Sequence, residues 1–360
     1  MIAQIRARNR RMLRGNPRRV SDHQPAAEGR PFHHLPNGLF RNPPGSPRRE
    51  VDVPTMLRFF TRMTRQGRLP VAIPEGHVVP QKRAVAMLRD MEGADSITWL
   101  GHASFLIRLA GKTIITDPYL SDYAGPGRFG PKRYVDSGIA IEDLPPIDIL
   151  LISHNHYDHL DEETLAQLPN KEHIQVIAPL RLGAFFLKRG FQRVIELDWD
   201  EKTTVDKVTI TALPVVHWSR RNARDTNRTL WAGFSICGAD RQLFFGGDSA
   251  YGEVFRAIGE RYGPFDAAMI GIGAYAPRKI MRASHATPEE AVQIGKDIGA
   301  RAIIGMHWGT VGLTEEPAFE PPQRFLVAGA QQGYRQEDLW VMAIGETRPL
   351  GSGDIRGAGN

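Results

Sequence analysis

The feature that most restricts the fold is a cluster of metal-binding residue types directly behind an apolar run. Residues 147–152 (IDILLI) are apolar apart from one aspartate, which predicts a buried strand. The next seven residues, SHNHYDH, contain three of the chain's 12 histidines and an aspartate. Imidazole nitrogens and carboxylate oxygens are good ligands for zinc and similar divalent ions. The pattern therefore predicts a metal site on the loop after a buried strand.

Three later apolar segments end in the same residue types. The residue that follows each predicted strand is His217 after 208–216, Asp248 after 241–247 and His307 after 301–306. Because α/β proteins build their sites on loops at strand ends, we expect these three side chains to meet the first cluster. Two ions about 3.5–4 Å apart can neutralise charge on an attacked phosphate or carbonyl. The combined pattern predicts a dinuclear centre.

The spacing within the first cluster suggests how the ligands divide. His154 and His156 lie two residues apart, so in extended backbone both side chains point to one side and can share an ion. Asp158 and His159 lie beyond the turn and suit a second ion. An aspartate from another strand can bridge two cations with its two oxygens, and Asp248 is the candidate.

Strand and helix patterns alternate from Ser96 onward, which predicts an α/β layered domain. Asp161 is a predicted N-cap for a helix over 161–168, and a second helix is expected over 288–299. Further strands are predicted at 173–179, 208–216, 241–247, 265–273, 301–306 and 339–346.

The N-terminal region differs from the rest in charge. Residues 1–50 contain eleven arginines and three acidic residues, a net charge of +8 in a chain whose total is +6. We expect 1–50 to be a partly irregular Arg/Pro-rich arm, 51–95 an extension and 96–350 the main domain. A basic amphipathic helix is predicted at 55–68, which could lie on a membrane or pack its apolar face on the domain.

Composition excludes several classes of protein. No apolar stretch approaches the roughly 18 residues that a membrane-spanning helix needs. The single cysteine, Cys237, excludes an internal disulfide and a cysteine-based zinc site. A reducing cytoplasm is therefore the expected location, with the inner face of a membrane as the alternative.

The motif SHNHYDH, followed in order by His217, Asp248 and His307, resembles the signature of the metallo-β-lactamase superfamily. Several further segments are similar to the N-acylphosphatidylethanolamine-hydrolysing phospholipase D family: TWLGHASF, TDPYLSDYAGP, GPKRYVDSG, HWSRR, GAYAPR, SHATPEEAV and, near the N-terminus, FRNPPGSPRR. The resemblance implies an α/β fold of the metallo-β-lactamase type, a four-layer αββα sandwich with the metals at one edge.

The resemblance also implies roles for individual residues. One zinc ion would be bound by His154, His156 and His217, the second by Asp158, His159 and His307, and Asp248 would bridge them, giving two Zn²⁺ per chain. Asp158, Asp248 and His285 would be the catalytic residues, and His285 would contact the phosphate or protonate the leaving alkoxide.

The residues beside the predicted ligands have two readings each. Asp117 would orient a ligand histidine or serve as an ordinary turn residue. The aromatic residues next to ligands or strand ends would wall the pocket or pack in the core: Tyr157, Trp218, Tyr275 and Trp308.

The expected reaction is hydrolysis of an N-acylated ethanolamine phospholipid to phosphatidate and an N-acylethanolamine. The alternatives are a nuclease or phosphodiesterase acting on RNA or cyclic nucleotides, and a metal-binding regulatory protein without turnover. Since the positive charge lies in the arm, we expect a phospholipid partner at a membrane surface and no nucleic acid. A homodimer is compatible with the sequence.

Overall fold

A computed structural model describes residues 31–49, 51–66 and 70–351. Residues 1–30, the larger part of the expected basic arm, lie outside the described residues, so that prediction stays a prediction. Residues 32–49 run without helix or strand apart from one isolated bridge between His34 and Phe40.

The described chain forms two seven-stranded sheets. The first has the order β14-β1-β2-β3-β4-β5-β6, with β1 (Ser96–Gly101), β2 (Ser104–Leu109), β3 (Lys112–Thr116), β4 (Ile149–Leu151), β5 (Gln175–Pro179), β6 (Arg193–Leu197) and β14 (Thr347–Pro349). The second has the order β13-β12-β11-β10-β9-β8-β7, with β7 (Lys202–Val205), β8 (Val208–Leu213), β9 (Gly233–Cys237), β10 (Gln242–Phe245), β11 (Phe265–Gly271), β12 (Ala300–Met306) and β13 (Leu339–Trp340).

Successive side chains of the strands join different buried clusters, which shows that the first sheet is buried on both faces. In β4, Ile149 and Leu151 belong to the same buried cluster as Phe244 of the second sheet. Leu150, between them, belongs to a second cluster with helix residues such as Phe186. Successive side chains of a strand point to opposite faces, so one face of this sheet packs on the other sheet and its opposite face packs on helices.

Helices cover both outer faces. The eight α-helices of the described residues are α1 (Val53–Gln66), α2 (Gln81–Asp90), α3 (Glu162–Gln167), α4 (Gly183–Leu187), α5 (Val254–Tyr262), α6 (Arg278–Met281), α7 (Pro288–Asp297) and α8 (Pro321–Gln331). Buried residues of α2, α3 and α4 join the cluster outside the first sheet. Helix α7 packs on β11 and β12, and α5 and α8 pack on α7. The predicted four-layer αββα sandwich is confirmed.

Helix α1 begins two residues earlier than predicted. The Asp52 carboxylate accepts a hydrogen bond from the Thr55 N–H (2.7 Å), which satisfies a free donor of the first turn. The helix buries Phe59, whereas Leu57 is 66% exposed. It therefore packs on the domain through part of its apolar face. None of the helices in the described residues is long and apolar enough to cross a membrane.

The predicted strand at 339–346 is correct only for its first two residues. Its first two residues form β13 in the second sheet, and the chain then crosses to the first sheet, where it forms β14. The crossing uses Gly345 with φ +88°, where a Cβ would lie 3.0 Å from that of Ala84. An apolar segment that changes sheets cannot be distinguished by periodicity from one long strand.

The topology brings the strand ends of both sheets to one edge. Strands β3 and β4 are parallel neighbours, with Thr116 opposite Leu151, so the residues that follow them emerge side by side. Strands β10, β11 and β12 are also parallel. The two sets meet where the Ala232 N–H donates to the Ser153 carbonyl (3.0 Å). This edge carries the candidate site.

Candidate metal centre

All seven predicted ligands lie in one group of side chains at that edge. They form two sets of potential ligand atoms: His154, His156, His217 and Asp248 in one, and Asp158, His159 and His307 with His102 in the other. Most of these side chains are buried. The predicted convergence of four separate loops is thus present, while the ligand roles themselves stay predictions.

The first set brings three imidazoles together. The Nε2 atom of His154 lies 2.8 Å from Nδ1 of His156, and Nε2 of His217 lies 3.2 Å from the same Nδ1. The Asp248 Oδ2 atom is 3.8 Å from the His154 nitrogen and 3.6 Å from the His217 nitrogen. When three ring nitrogens face one another, protons cannot satisfy all three at once, because a nitrogen that carries a proton donates and the others must accept. A single cation can accept a lone pair from each of them.

The second set lies on the other side of Asp248. The Asp158 Oδ2 atom is 3.6 Å from Nε2 of His159 and 3.6 Å from Nε2 of His307. Asp248 reaches both rings as well: its Oδ2 is 3.1 Å from Nε2 of His159, and its Oδ1 is 3.1 Å from Nε2 of His307. Its position between the two sets is the one that a bridging carboxylate requires.

His102 is the site residue that the sequence reasoning missed. Its Nε2 lies 2.9 Å from the Asp158 Oδ2, and its ring is 3.9 Å from the ring of His307. Burial lowers the pKa of His102 to about 3, so the neutral ring donates its N–H to the carboxylate. The signal in the sequence was a lone histidine between the strand patterns of TWLGHASF.

Several buried polar atoms of the centre lack a hydrogen-bond partner within the described residues. They include Nε2 of His159, Nε2 of His307 and Oδ1 of Asp248, although these atoms have neighbours at 3.1 Å. Buried polar groups are rarely left unpaired, because an unmade hydrogen bond costs about 1–3 kcal/mol. Close nitrogen and oxygen atoms that are not aligned for hydrogen bonds suit coordination of a cation, so the residues fit a metal centre.

The charges of the centre support the same conclusion. Burial lowers the pKa of His156 to about 3 and that of His217 to about 4, so both rings are neutral, as a ligand must be. Burial also disfavours a charge on His307, yet the Asp248 and Asp158 carboxylates raise its pKa to about 9. The two buried carboxylates therefore require nearby positive charge, which divalent cations would supply in place of protons.

Asp117 contacts one candidate ligand in each set, directly or through Ser153. Its carboxylate accepts from Nδ1 of His159 (2.7 Å), from the Ser153 N–H (2.7 Å) and from the Ser153 hydroxyl (2.5 Å). The Ser153 oxygen in turn contacts Nδ1 of His154 (2.8 Å). Since an occupied Nδ1 leaves the Nε2 lone pair free, the contacts favour the ligand-orienting interpretation of Asp117 over the turn-residue interpretation.

Three residues of the centre have an unusual backbone. His102, Asp117 and His307 have φ values of 54°, 33° and 62°, in the left-handed region that side chains other than glycine rarely adopt. Each directly follows the last residue of a strand: β1, β3 and β12. Such strain persists only where the surrounding packing fixes it, and it often marks a functional site.

His285 lies next to both candidate ligand sets. Its Nε2 atom is 3.9 Å from the Asp248 Oδ2, and its ring centroid is 5.2 Å from those of His217 and His307. It enters the site just before α7, where Thr287 forms a capping box with Glu290. The position is close enough for contact with a bound substrate, and the catalytic role stays a prediction.

Two cavities adjoin the centre. The larger, of about 780 Å³, is lined by His102, His307 and Trp308, by charged residues such as Lys132 and Glu315, and by apolar residues, among them Met63 of α1. The second, of about 620 Å³, is lined by His217, Trp218 and residues 41–49. Two of the four aromatic residues considered above therefore wall a cavity. Tyr157 instead stacks with Arg221, and Tyr275 bonds to Glu320.

Comparisons with known proteins agree with this geometry. The sequence profile described as "Beta-lactamase superfamily domain" matches residues 112–308. The N-acyl-phosphatidylethanolamine-hydrolyzing phospholipase D 1 of Caenorhabditis elegans is 41% identical over 263 residues, which cover 69% of this chain and 74% of that protein. The mitochondrial phospholipase D of the same name from Saccharomyces cerevisiae is 35% identical over 257 residues, covering 69% of this chain and 55% of the relative.

A solved structure shows the same fold. Igni18, a metallo hydrolase from Ignicoccus hospitalis, aligns with a TM-score of 0.55 and 20% identity over 71% of this chain and 97% of that one. On the sequence profile and the relatives together, the chain belongs to the N-acylphosphatidylethanolamine-hydrolysing phospholipase D family of the β-lactamase superfamily, and it is a metal-dependent hydrolase.

Proposed function

We propose that the chain is a dinuclear zinc phosphodiesterase that hydrolyses N-acylphosphatidylethanolamine to phosphatidate and an N-acylethanolamine. The observation that carries the proposal is the pair of ligand sets on either side of Asp248, next to a cavity lined by both apolar and charged residues. Five imidazoles and two carboxylates are the ligand types that zinc prefers. The C. elegans and yeast relatives are named for the same lipid reaction.

Each candidate ligand would have a defined task. His154, His156 and His217 would hold one ion, Asp158, His159 and His307 the other, and Asp248 would contact both. When bound, two divalent cations supply positive charge to a phosphodiester and lower the pKa of water. The chain's contribution is to hold the ligand atoms in place before substrate arrives, through Asp117, Ser153 and His102.

His285 would contact the substrate phosphate. Burial lowers the pKa of His285 well below its usual value, so the ring is neutral near pH 7. A neutral imidazole still carries one N–H, which can donate to a phosphate oxygen beside Asp248. This favours phosphate contact over protonation of the leaving alkoxide.

We also propose that the mouth of the larger cavity faces a membrane surface. Phe129, 79% exposed, lies at the tip of a short loop whose base, Pro131 and Lys132, lines this cavity. Arg128 is adjacent in sequence. An aromatic side chain flanked by cations suits the interface of an anionic bilayer. Co-sedimentation should show that the full chain binds vesicles containing anionic phospholipid and that Phe129→Ala weakens binding more than Leu187→Ala, which removes another exposed apolar side chain.

Metal analysis and substrate assays test the proposed reaction. The purified chain should contain two zinc ions and cleave an N-acylated phosphatidylethanolamine, but not pre-tRNA, a cyclic nucleotide or a lactone. His156→Ala should abolish turnover and lower the metal content. His77→Ala, which removes a buried histidine bonded to the Gly309 carbonyl, should retain both ions. Cleavage of pre-tRNA with inert lipid would support the nuclease alternative, and no metal-dependent turnover of any substrate would support a regulatory protein.

A further inference from the structure

The segment of residues 32–49 precedes the matched domain profile, yet it reaches the candidate metal centre. It has no helix or strand, but Phe40 is almost fully buried, and the Arg181 guanidinium lies 4.6 Å from the centroid of its ring. The Phe40 N–H donates to the Asn227 carbonyl (2.8 Å). The segment is therefore docked on the domain by specific contacts.

One docking contact joins the start of the segment to Asp198. Nε2 of His33 lies 2.6 Å from one carboxylate oxygen, and Nε2 of His34 lies 2.7 Å from the other. Each imidazole faces its own carboxylate oxygen at hydrogen-bond distance, so both oxygens of Asp198 are paired. This contact docks the segment without touching a candidate ligand.

Asn42 makes a different kind of contact. Its Nδ2 donates to the His217 carbonyl (2.8 Å), and its Oδ1 accepts from the His217 N–H (2.9 Å). The same oxygen accepts from the Trp231 ring N–H (3.0 Å). The amide thus pairs with both backbone groups of His217, as a neighbouring strand would. Strand β8 has already ended at Leu213, so no ladder performs this task.

The ring of His217 is fixed separately. Its Nδ1 donates to the Ser284 carbonyl (2.9 Å), which leaves the Nε2 lone pair directed at the centre, 3.6 Å from the Asp248 Oδ2. The segment also contacts Ser284 itself, because an Arg49 nitrogen donates to the Ser284 hydroxyl (3.2 Å). Both the backbone and the ring of one candidate ligand are therefore held, and Asn42 holds the backbone.

We propose that Asn42 is a positioning residue for the metal centre: through His217 it sets the affinity of the ion bound by His154, His156 and His217. The proposal rests on the proposed metal centre. It makes residues 32–49 a working part of the enzyme. An outer contact that orients a ligand typically contributes 10–100-fold to metal affinity or activity, which sets the expected effect.

Cobalt binding to the full chain tests the proposal without any lipid substrate. The protein is stripped of metal, titrated with Co²⁺ and followed by visible absorption, with a competing chelator to measure affinity. Asn42→Ala should weaken one of two ions by ~10–100-fold and change that ion's spectrum, while the second ion is bound as in the wild type. Thermal unfolding monitors the fold. If Asn42→Ala does not fold, Asn42→Asp is the second variant: it keeps the shape and the Oδ1 acceptor, and it replaces the Nδ2 donor by a charged oxygen that faces the His217 carbonyl.

Two control variants separate positioning from docking. Asn37→Ala makes the same chemical change in the same segment. Among the described residues the Asn37 side chain bonds only the Leu39 N–H (3.1 Å), so this variant should bind cobalt as the wild type does. His34→Ala loosens docking at Asp198 and should leave the cobalt spectrum unchanged. Wild-type cobalt binding by Asn42→Ala, or equal weakening in His34→Ala, would overturn the proposal. A wild-type chain that binds no cobalt would overturn both this proposal and the proposed metal centre. Two bound ions without lipid turnover would contradict only the assignment of a lipid substrate.

Discussion

Replacing Asp117 by asparagine should disturb both metal ions at once. The carboxylate accepts three hydrogen bonds, and through His159 and Ser153 it fixes the rings of one candidate ligand in each set. Asparagine has the same shape but only one acceptor oxygen. Whichever way the amide turns, its NH₂ group faces at least one of the donors that Asp117 now satisfies.

The lost contacts of Asp117 lead to two expected magnitudes. A buried donor that loses its acceptor costs about 1–3 kcal/mol of folding free energy. The loss of a contact that orients a metal ligand costs about 10–100-fold in metal affinity, equivalent to about 1.4–2.8 kcal/mol. Because Asp117 serves His154 through Ser153 and His159 directly, we expect the loss of affinity for both ions.

Asp161 offers a matched control. Its buried carboxylate also accepts three hydrogen bonds, from the Ser121 N–H, the Glu163 N–H and the Thr164 hydroxyl, but it contacts no candidate ligand. Asp161→Asn should therefore lose a similar amount of stability in a denaturant titration. Chelator competition on the full chain should show weakened binding in Asp117→Asn alone. Equal metal affinities in the two variants would refute the assignment of Asp117 as a residue that orients ligands.

Three further predictions concern other parts of the chain. His102→Ala removes the N–H that holds Asp158, so metal affinity and turnover should fall by about tenfold or more, and His102→Gln, which keeps a donor, should recover part of both. Removal of metal by a chelator should lower the melting temperature. An ion that binds only the folded chain, at a free concentration 100 times its Kd, adds about 2.7 kcal/mol to the free energy of unfolding. An unchanged melting temperature would contradict the metal centre. Burial lowers the pKa of His34, so below about pH 6.5 the unfolded chain binds a proton at this residue more readily than the folded chain does. The free energy of unfolding should therefore fall as the pH drops from 7 to 5. Urea titration at each pH should show a smaller fall in His34→Gln.

The residue-type pattern at strand ends was sufficient to predict which side chains meet. Asp248 and His307 follow strands whose parallel neighbours carry their ends to the same edge, a rule that needs no detailed structure. His102 could not be found in this way. It lies in the turn between antiparallel strands β1 and β2, 56 residues from Asp158, and the order of strands within the first sheet, where β3 lies between β2 and β4, brings the pair together.

Some strands also escaped prediction for a physical reason. Edge strands β6 and β7 have mostly half-buried or exposed residues, so they lack the apolar run that identifies a central strand. Strand β9 is buried but only five residues long and was not predicted. Asn42 illustrates a further limit, because its pairing with His217 spans 175 residues and depends on an irregular segment for which no periodic pattern exists.

The division of ligands between the sheets links the chemistry to the fold. The loop after β4 of the first sheet carries His154, His156, Asp158 and His159, whereas loops after strands of the second sheet carry His217, Asp248 and His307. Each ion would therefore draw ligands from both sheets and cross-link the two inner layers of the sandwich. The sheets pack through an apolar core that is rigid, so the ligand atoms are held near their positions before any ion binds. Metal affinity consequently depends on how tightly the sheets pack. Core substitutions that separate the sheets should weaken metal affinity even when they lie far from a ligand.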